Sequence, residues 1–326
     1  MADAIVVRQL TKTFGETVAV KDLDLTIPEG ALYGVIGPNG AGKTTMIRMI
    51  LSILFPDRGE LRVLGRASAL EAKDRIGYLP EERGLYKKMK VGEFLVYIGR
   101  LKGLDGPGLE SAVKGWLERV GLGHVEKKPC EELSKGMQQK VQFISAVIHR
   151  PDLLILDEPF SGLDPVNQRL LRDLVLEQHR RGATVLFSTH VMFHAEQLCD
   201  QVVMIHQGRK VLDQSVASIG ASYDPRSIVF EPYDPSADVQ VIRSVPGVRA
   251  LTRDGGSWDV ALQDGASAAD VIQCIVSTLP PARIEVRRPT LEDVFLRIVT
   301  GGAEGDDLTR LRAALREGEG VQEVKR

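Results

Sequence analysis

A glycine-rich segment near the start constrains the fold of this chain more than any other feature. Residues 37–44 read GPNGAGKT, which fits the pattern G-x-x-x-x-G-K-[ST]. The apolar run 31–36 before it is typical of a β-strand. The amphipathic segment from Lys43 to about Leu54, ending before Pro56, is typical of a helix. Strand, glycine loop and helix therefore follow in the order that a phosphate-binding loop requires.

The chemistry of this loop follows from its residue types. Its glycines allow a tight turn in which successive backbone N–H groups face an anion, and the helix start adds free N–H groups and a positive dipole end. Lys43 supplies a positive charge for the β- and γ-phosphates of a nucleotide, and the Thr44 hydroxyl can ligate Mg²⁺. The residues predicted to bind the nucleotide here are Gly37, Pro38, Asn39, Gly40, Ala41, Gly42, Lys43, Thr44 and Thr45.

A pair of acids follows a second apolar run. Residues 153–159 read LLILDEP, and the run of apolar residues predicts a central strand buried on both faces. Asp157 and Glu158 come at its carboxyl end, where open α/β sheets bind ligands. Asp157 is predicted to hold Mg²⁺, and Glu158 to polarise an attacking water as general base. An ordinary strand end with two solvated acids is the alternative.

The separation of these two motifs predicts an insertion. From Thr44 to Asp157 is 157 − 44 = 113 residues, whereas a minimal βαβ unit needs only about 30. Helical patterns occupy much of this interval, so a helical subdomain is predicted at about residues 83–150. Its first helix has apolar residues at helical spacing, namely Val91, Phe94, Leu95, Ile98 and Leu101.

Residues 133–140 read LSKGMQQK and begin a further helix with the features of an anion-binding terminus. Ser134 is a good N-cap, and Gly136 lets an anion approach the backbone closely. Because the first loop already surrounds its own nucleotide, this helix start is predicted to serve a nucleotide held by another copy. From these residues alone, a plain capped helix is an equal alternative.

Five motifs now stand in order: GPNGAGKTT, LSKGMQQK, LLILDEP, SGLD at 161–164 and STH at 188–190. Together they resemble the ATPase subunit of an ATP-binding cassette (ABC) transporter, over about residues 4–220. The resemblance implies a P-loop α/β fold, in which a mixed sheet core carries the inserted helical subdomain. It also implies that two cassettes, in a homodimer or a heterodimer with a second cassette, sandwich two ATP molecules head to tail with Mg²⁺.

The resemblance implies roles for residues near the nucleotide. Phe14 is similar to the aromatic residue that stacks on adenine, with Val18 packing nearby. Phe14 replaces the commoner tyrosine, which still allows stacking. His190 matches the histidine that contacts the γ-phosphate and helps to position the attacking water beside Glu158.

Other matching residues would act across the dimer. Ser134 and Gly136 match the signature that contacts the γ-phosphate of the opposite subunit, and Asp164 matches the loop that crosses between the two sites. The signature departs from the usual LSGGQ, because Lys135 and Met137 replace a glycine and the glutamine.

Residues 78–86 read YLPEERGLY. This stretch contains two glutamates, Glu81 and Glu82, and lies in sequence between the phosphate loop at 37–44 and the helix start at 133–140. In the family a glutamine occupies the position of Glu81 and reaches Mg²⁺ and the attacking water, so Glu81 is predicted to belong to the metal and nucleotide site. An exposed loop face for Glu81 and Glu82 is the alternative. Some bacterial and archaeal exporter cassettes carry a similar loop together with an appended C-terminal domain, which narrows the resemblance to the type-2 exporter class.

The pattern changes after about residue 220. Residues 1–220 are predicted to form the cassette, 221–302 an accessory domain and 303–326 a charged tail, with a linker by composition at 220–227. The element order β-α-β-β-α-β-α in the accessory domain predicts a small ferredoxin-like α+β fold. Three roles remain open for the accessory domain: contact between subunits, sensing of a ligand, and docking of the permease.

Composition limits the partners. The net charge of −2 argues against a nucleic-acid partner, and no run approaches the ~18 apolar residues of a membrane span. We therefore expect separate transmembrane permease subunits and a peripheral position on the cytoplasmic face of the membrane. The alternatives are a soluble cassette ATPase acting on ribosomes or DNA, and a nucleotide-gated interaction module without useful turnover.

Overall fold

The computed structural model of the chain describes residues 2–82, 84–222, 227–287 and 289–300. These residues divide into two compact units. Of the described residues, the first unit contains those up to Val216 together with residues 298–300, and the second contains those from Ala217 to Arg297. The predicted charged tail at 303–326 lies outside the described residues, as do residues 223–226 of the predicted linker.

The elements of the first unit follow the predicted alternation of strands and helices. Its strands are β1 (Asp3–Phe14), β2 (Thr17–Pro28), β3 (Leu32–Ile36), β4 (Arg58–Val63), β5 (Ile76–Leu79), β6 (Leu153–Asp157), β7 (Thr184–Thr189), β8 (Gln201–His206) and β9 (Arg209–Ser215). Its helices are α1 (Lys43–Ile50), α2 (Val91–Leu101), α3 (Gly108–Arg119), α4 (Lys135–Val147), α5 (Pro165–Arg180) and α6 (Met192–Leu198). Short 3₁₀ helices occupy Ala69–Arg75, Gly123–Val125 and Cys130–Glu132. Helix α7 (Val216–Ser222) follows β9 and belongs to the second unit from Ala217 onward.

A six-stranded sheet with the order β5-β6-β7-β3-β8-β9 forms the centre of this unit. Its strands are parallel except for β9, which pairs antiparallel with β8. Strands β3, β6 and β7 are buried along their whole length, as their apolar sequences predict. Since the register pairs Asp157 with Ser188 and Ile36 with Thr189, the three strands end at one edge of the sheet.

A three-stranded antiparallel sheet, β2-β1-β4, packs with α1 and the central strands in one hydrophobic core. The helical elements α2, α3 and α4 lie between β5 and β6 in sequence, which confirms the predicted mixed sheet with inserted helices. Lys102, just after α2, donates hydrogen bonds to the carbonyl oxygens of Lys73 at 2.6 Å and Ile76 at 2.9 Å. These bonds hold the end of α2 against the start of β5.

Helix α1 is shorter than the sequence predicts. It ends at Ile50 rather than at about Leu54, because Ser52 takes the left-handed conformation with φ 56°. The N–H groups of Ile53 and Leu54 both turn back to the carbonyl oxygen of Arg48, at 2.9 and 3.1 Å. Backbone bonds of this kind close a helix without a glycine signal in the sequence.

The second unit forms an antiparallel sheet with the order β11-β12-β10-β13, the strand order of a ferredoxin-like domain. Its elements are β10 (Ser227–Pro232), β11 (Val248–Asp254), β12 (Ser257–Leu262), α8 (Ala268–Thr278), β13 (Pro281–Arg287) and the part up to Arg297 of α9 (Leu291–Thr300). The first helix of the predicted element order is a short 3₁₀ helix over Val239–Ser244. Thr290 caps the last helix, because its Oγ1 accepts from Asp293 N at 3.2 Å.

Within the described ranges, the structure contains no helix with the length and apolar character needed to cross a membrane.

Candidate functional site

The phosphate loop between β3 and α1 depends on glycine at two close backbone approaches. Gly37 has φ 155°, and a Cβ added there would lie 2.2 Å from the carbonyl oxygen of Ile205. Gly42 has φ 106°, and its Cβ would lie 2.4 Å from the carbonyl oxygen of Ala19. The loop therefore fits between β2 and β8 only because these residues have no side chain.

Lys43 begins α1 and is 6% exposed. Its ammonium donates to the carbonyl oxygens of Gly37 at 2.8 Å and Pro38 at 3.2 Å, and its Nζ lies 3.7 Å from Glu158 Oε1. Burial lowers the pKa of Lys43, and the neighbouring carboxylates oppose that shift. The positive charge thus lies inside the loop, bonded to oxygens that a phosphate can replace.

Asp157 closes β6 as a fully buried carboxylate. Thr44 Oγ1 donates to its Oδ1 at 3.4 Å, and the Ser188 hydroxyl donates to the same oxygen. The other oxygen, Oδ2, has no hydrogen-bond partner among the described residues, and burial is the main cause that raises the pKa of Asp157. A buried carboxylate oxygen without a partner, beside a threonine hydroxyl, suits a cation that takes its other ligands from phosphates and water.

Glu158 is held by groups at the end of β7. Its N–H donates to the carbonyl oxygen of Ser188 at 3.1 Å, and its backbone takes the left-handed conformation with φ 48°. His190 Nδ1 lies 2.9 Å from Glu158 Oε1, and Thr189 Oγ1 donates to Oε2 at 3.3 Å. Both carboxylate oxygens are therefore oriented before any substrate binds.

Glu81 lies in the loop after β5, within electrostatic range of this acid pair. Partial burial is the largest cause that raises the pKa of Glu81, although much of the side chain is exposed. The charges of Asp157 and Glu158 raise this pKa further, while Lys43 and His190 oppose them. The pKa of Glu81 thus depends on the charges of the residues at the ends of β6 and β7.

Two glutamines of α4 position the loops, and the sequence reasoning did not single them out. Gln142 Nε2 donates to the carbonyl oxygens of Pro80 at 3.4 Å and Glu82 at 3.1 Å, and Gln139 Nε2 donates to that of Pro159 at 3.0 Å. Both side chains are buried. In the sequence, two glutamines on the apolar face of a predicted helix are the pattern that could have indicated them. Buried amides need hydrogen-bond partners, so such residues are expected to bond to nearby loops.

The hairpin of β1 and β2 lies beside the phosphate loop. The Ala19 carbonyl oxygen approaches Gly42, and the nearby Phe14 and Val18 side chains are 50% and 41% exposed. The Lys12 ammonium lies 5.6 Å from the centroid of the Phe14 ring. An exposed aromatic ring therefore stands on the element that borders the loop.

Ser134, Gly136 and Asp164 form a separate group. Ser134 Oγ accepts from Met137 N at 3.4 Å as the N-cap of α4, and Asp164 accepts from Asn167 N at 2.9 Å as the N-cap of α5. A Cβ at Gly136 would make only an ordinary contact, 3.5 Å from Asn167 Nδ2. The described part of the chain therefore does not itself require a glycine at 136.

Family comparisons match both parts of the chain. A model described as ABC transporter matches residues 20–161, and one described as ATP-binding protein DrrA1-3-like, C-terminal domain, matches residues 215–299.

Similar proteins extend along nearly the whole chain. The ABC transporter ATP-binding protein YhaQ of Bacillus subtilis (strain 168) is 41% identical, over 90% of this chain and 98% of its own length. The Nod factor export ATP-binding protein I of Burkholderia lata is 33% identical, over 89% of this chain and 95% of its own. A solved structure titled as the ATP binding subunit of an ABC transporter has a TM-score of 0.63 and 31% identity, over 67% of this chain and 92% of that chain.

Proposed function

This chain belongs to the family of ABC transporter ATP-binding proteins, and on that basis we propose that it hydrolyses ATP with Mg²⁺ to power export through a separate membrane permease. The observation that carries the proposal is the Glu158 carboxylate, oriented by Thr189 and His190 beside buried Lys43 and Asp157. The relative named for Nod factor export supports the direction of transport.

The phosphate loop binds the nucleotide through its own exposed donors. The backbone N–H groups between Gly37 and Thr45, except at Pro38, which has none, surround the phosphates. Lys43 exchanges its two carbonyl partners for phosphate oxygens. Phe14 stacks on the adenine ring, with Val18 beside it. The glycines that keep Cβ atoms out of the loop make this close approach possible.

Thr44, Asp157 and Glu81 are the residues that would hold Mg²⁺. The partnerless Oδ2 of Asp157 and the adjacent Thr44 hydroxyl fit this role. Bound Mg²⁺ would neutralise negative charge on the β- and γ-phosphates. Glu81 adds a second carboxylate at the edge of the site, in the position where the family has a neutral amide.

Glu158 accepts the proton of the attacking water. Its two oxygens are already fixed by Thr189 and His190, so little reorganisation is needed when the water loses its proton. His190, bonded to this base, helps to hold the water in line with the γ-phosphate. Catalysis of this kind depends on positioning more than on covalent chemistry.

The second nucleotide contact comes from another copy. Ser134 and Gly136 lie at the start of α4, where free N–H groups and the positive dipole end favour a phosphate. The room at Gly136 supports this, because its own chain does not need a glycine there. Each ATP then binds both subunits, with Asp164 crossing between the sites, and hydrolysis weakens the dimer.

The permease docks beside the Glu81 loop. Tyr86 and Tyr97 are 52% and 41% exposed and stack edge to face, with ring centroids 5.8 Å apart. Tyr86 also packs on Phe94 of α2, at 5.9 Å. Tyr86 lies on the segment that joins the nucleotide core to the inserted helices, and Tyr97 lies on α2, the first of these helices. Exposed rings at this junction suit an apolar partner that must respond to ATP.

Glu158→Gln tests the proposal. The variant should bind ATP with unchanged affinity and lose at least about a hundredfold in phosphate release, because one positioned proton acceptor contributes about 10²–10⁴ in rate. Light scattering should show a doubled mass for the variant with ATP. Glu131→Gln, a change of an exposed glutamate outside the site, is the matched control.

Two outcomes would count against the proposal. A variant that stays monomeric at saturating ATP would contradict the sandwich, and unchanged phosphate release would remove Glu158 as the base. Co-purification with ribosomes rather than with membranes would favour the soluble alternative.

A further inference from the structure

A pocket of about 550 Å³, apart from the nucleotide site, lies between α3, the end of α4 and α5. Its floor is apolar and includes Leu109, Val147 and the Trp116 ring. None of Lys43, Asp157 and Glu158 lines it. The volume lies in the range of about 300–1,000 Å³ typical of small-molecule sites. The pocket is thus separate from the nucleotide site and large enough for a ligand.

Small residues on one face of α3 create this space. Gly108, Ala112 and Gly115 line the pocket, and a Cβ added at Gly108 or Gly115 would meet nothing within 4 Å. Glycine inside a helix costs about 1 kcal/mol relative to alanine. At Gly115 the helix therefore forgoes stability at a position where a side chain would fill the pocket.

Gln178 supplies a polar group that has no protein partner among the described residues. It lies on α5, lines the pocket and is only 3% exposed. Its side-chain amide makes no hydrogen bond to any residue within the described ranges. Its polar atoms are not fully enclosed, so they face the open space of the pocket, where a polar atom of a ligand can bond them.

Two arginines place positive charge at the rim. Arg181 donates to the carbonyl oxygen of Pro151 at 2.8 Å, and burial followed by the charge of Arg150 lowers the pKa of Arg181. In the described part of the chain, neither Arg150 nor Arg181 forms a direct ion pair. The Asp152 and Glu177 carboxylates offset part of the charge of Arg181, but neither forms a close ion pair with it, so both guanidinium groups keep donors for an anion.

The third arginine has a different role. Arg119 stacks over the Trp116 ring, with its guanidinium carbon 4.5 Å from the centroid, and pairs with Glu177 of α5. This contact joins the inserted helices to the core across the pocket. Glu177 is thus paired with Arg119 and acts on Arg181 only at longer range.

We propose that this pocket binds a small amphipathic organic anion. Its apolar part lies on Leu109, Val147 and Trp116, its acidic group lies between Arg150 and Arg181, and a polar atom bonds the Gln178 amide. Because the walls belong to α3 on one side and α5 on the other, the ligand connects the helical subdomain to the nucleotide core. The site is additional to the proposed ATPase and does not depend on it.

The full chain carrying Trp258→Phe provides the assay, because it leaves Trp116 as the sole tryptophan. Titration with the dye anilinonaphthalene sulfonate (ANS), an aromatic anion, should quench Trp116 by energy transfer in a saturable way. Arg150→Gln and Gln178→Leu should each weaken binding by about tenfold, a difference that titration resolves easily. Gly115→Leu should abolish it by filling the pocket.

The controls separate the pocket from general dye binding. Arg62→Gln, a change of an exposed arginine on β4, should leave the titration unchanged, and Arg150→Lys should retain part of the binding. Dodecyl phosphate should displace ANS, whereas inorganic phosphate at the same concentration should not. Circular dichroism confirms that each variant is folded.

The inference is overturned if Arg150→Gln and Gly115→Leu bind ANS as the parent does. It is also overturned if inorganic phosphate displaces ANS as well as dodecyl phosphate, because the apolar floor would then contribute nothing. If one variant fails to fold, the displacement arms still decide the question on the parent chain.

Discussion

Asp157 carries a charge that opposes folding at neutral pH. Its carboxylate is fully buried, and burial raises its pKa above the value expected in the unfolded chain. The folded state therefore binds the proton more tightly, and stability falls as pH rises through the interval between the two pKa values. The nucleotide site retains this charge for function at the expense of stability.

Asp157→Asn should therefore stabilise the protein while removing ATPase activity. In chelator and without nucleotide, a gain of about 1 kcal/mol would raise the melting temperature by roughly 2–4 °C at pH 7–8. The gain should shrink as pH falls toward the ordinary aspartate pKa, because the wild-type carboxyl is then protonated as well. Calorimetry across pH measures this, with Asp173→Asn, at an exposed position, as the control. A lower melting temperature for Asp157→Asn would contradict the assignment.

Glu81 should make the Mg²⁺ requirement depend on pH. Its pKa is raised by partial burial and then by Asp157 and Glu158, so its anion forms only as pH rises through that raised value. Glu81→Gln should need several-fold more Mg²⁺ for half-maximal ATPase activity at high pH, and the difference should vanish at low pH. The measurement is a Mg²⁺ titration at several pH values.

Glu82→Gln is the matched control for this prediction, because Glu82 is the next residue in the same loop. If Glu81→Gln and Glu82→Gln both behave like the wild type, Glu81 is only an exposed loop acid.

At the scale of elements, the phosphate loop is held by close backbone contacts. Gly37→Ala would place a Cβ 2.2 Å from the Ile205 carbonyl oxygen, so the loop must move. We expect a loss of ATP affinity of at least about tenfold, or about 1.4 kcal/mol. Gly40→Ala, which shares a positive φ but meets nothing within 4 Å, should cost much less. Equal losses in calorimetric ATP binding would show that backbone strain, not the close contact, matters.

Local sequence patterns predict some elements of this fold and miss others. The strand, loop and helix at 31–54 were predictable because apolar period, glycine spacing and order all agree. The early end of α1 was not, because it depends on backbone bonds to Arg48 rather than on a glycine or proline. Gln142 was missed for a similar reason, since its partners, Pro80 and Glu82, are 62 and 60 residues away in sequence.

At the scale of the whole molecule, the two units have separate hydrophobic cores. Each contains one tryptophan, Trp116 in the first and Trp258 in the second. Phe230 is fully buried in the core of the second unit, and Phe230→Ala should cost that unit about 3–5 kcal/mol. We expect the Trp258 fluorescence transition to shift to lower temperature, while the Trp116 transition and ATP binding are retained.

Single-tryptophan variants, Trp116→Phe and Trp258→Phe, allow the two transitions to be followed separately. Tyr233→Ala, at a residue 78% exposed, is the matched aromatic control and should shift neither. If both tryptophans report one common lowered transition, the two units unfold together and the expectation of independence is wrong.

The sequence by itself determined the family, the P-loop core with inserted helices, and the order of the nucleotide motifs. These depend on local spacing, which the chain carries whatever its tertiary contacts are. The tertiary structure alone decided how the site is assembled. Parallel register brought Asp157 beside Ser188 and Glu158 beside His190, and it left one buried Asp157 oxygen without a protein partner. Such contacts join residues about 30 positions apart, and only packing determines which distant groups meet.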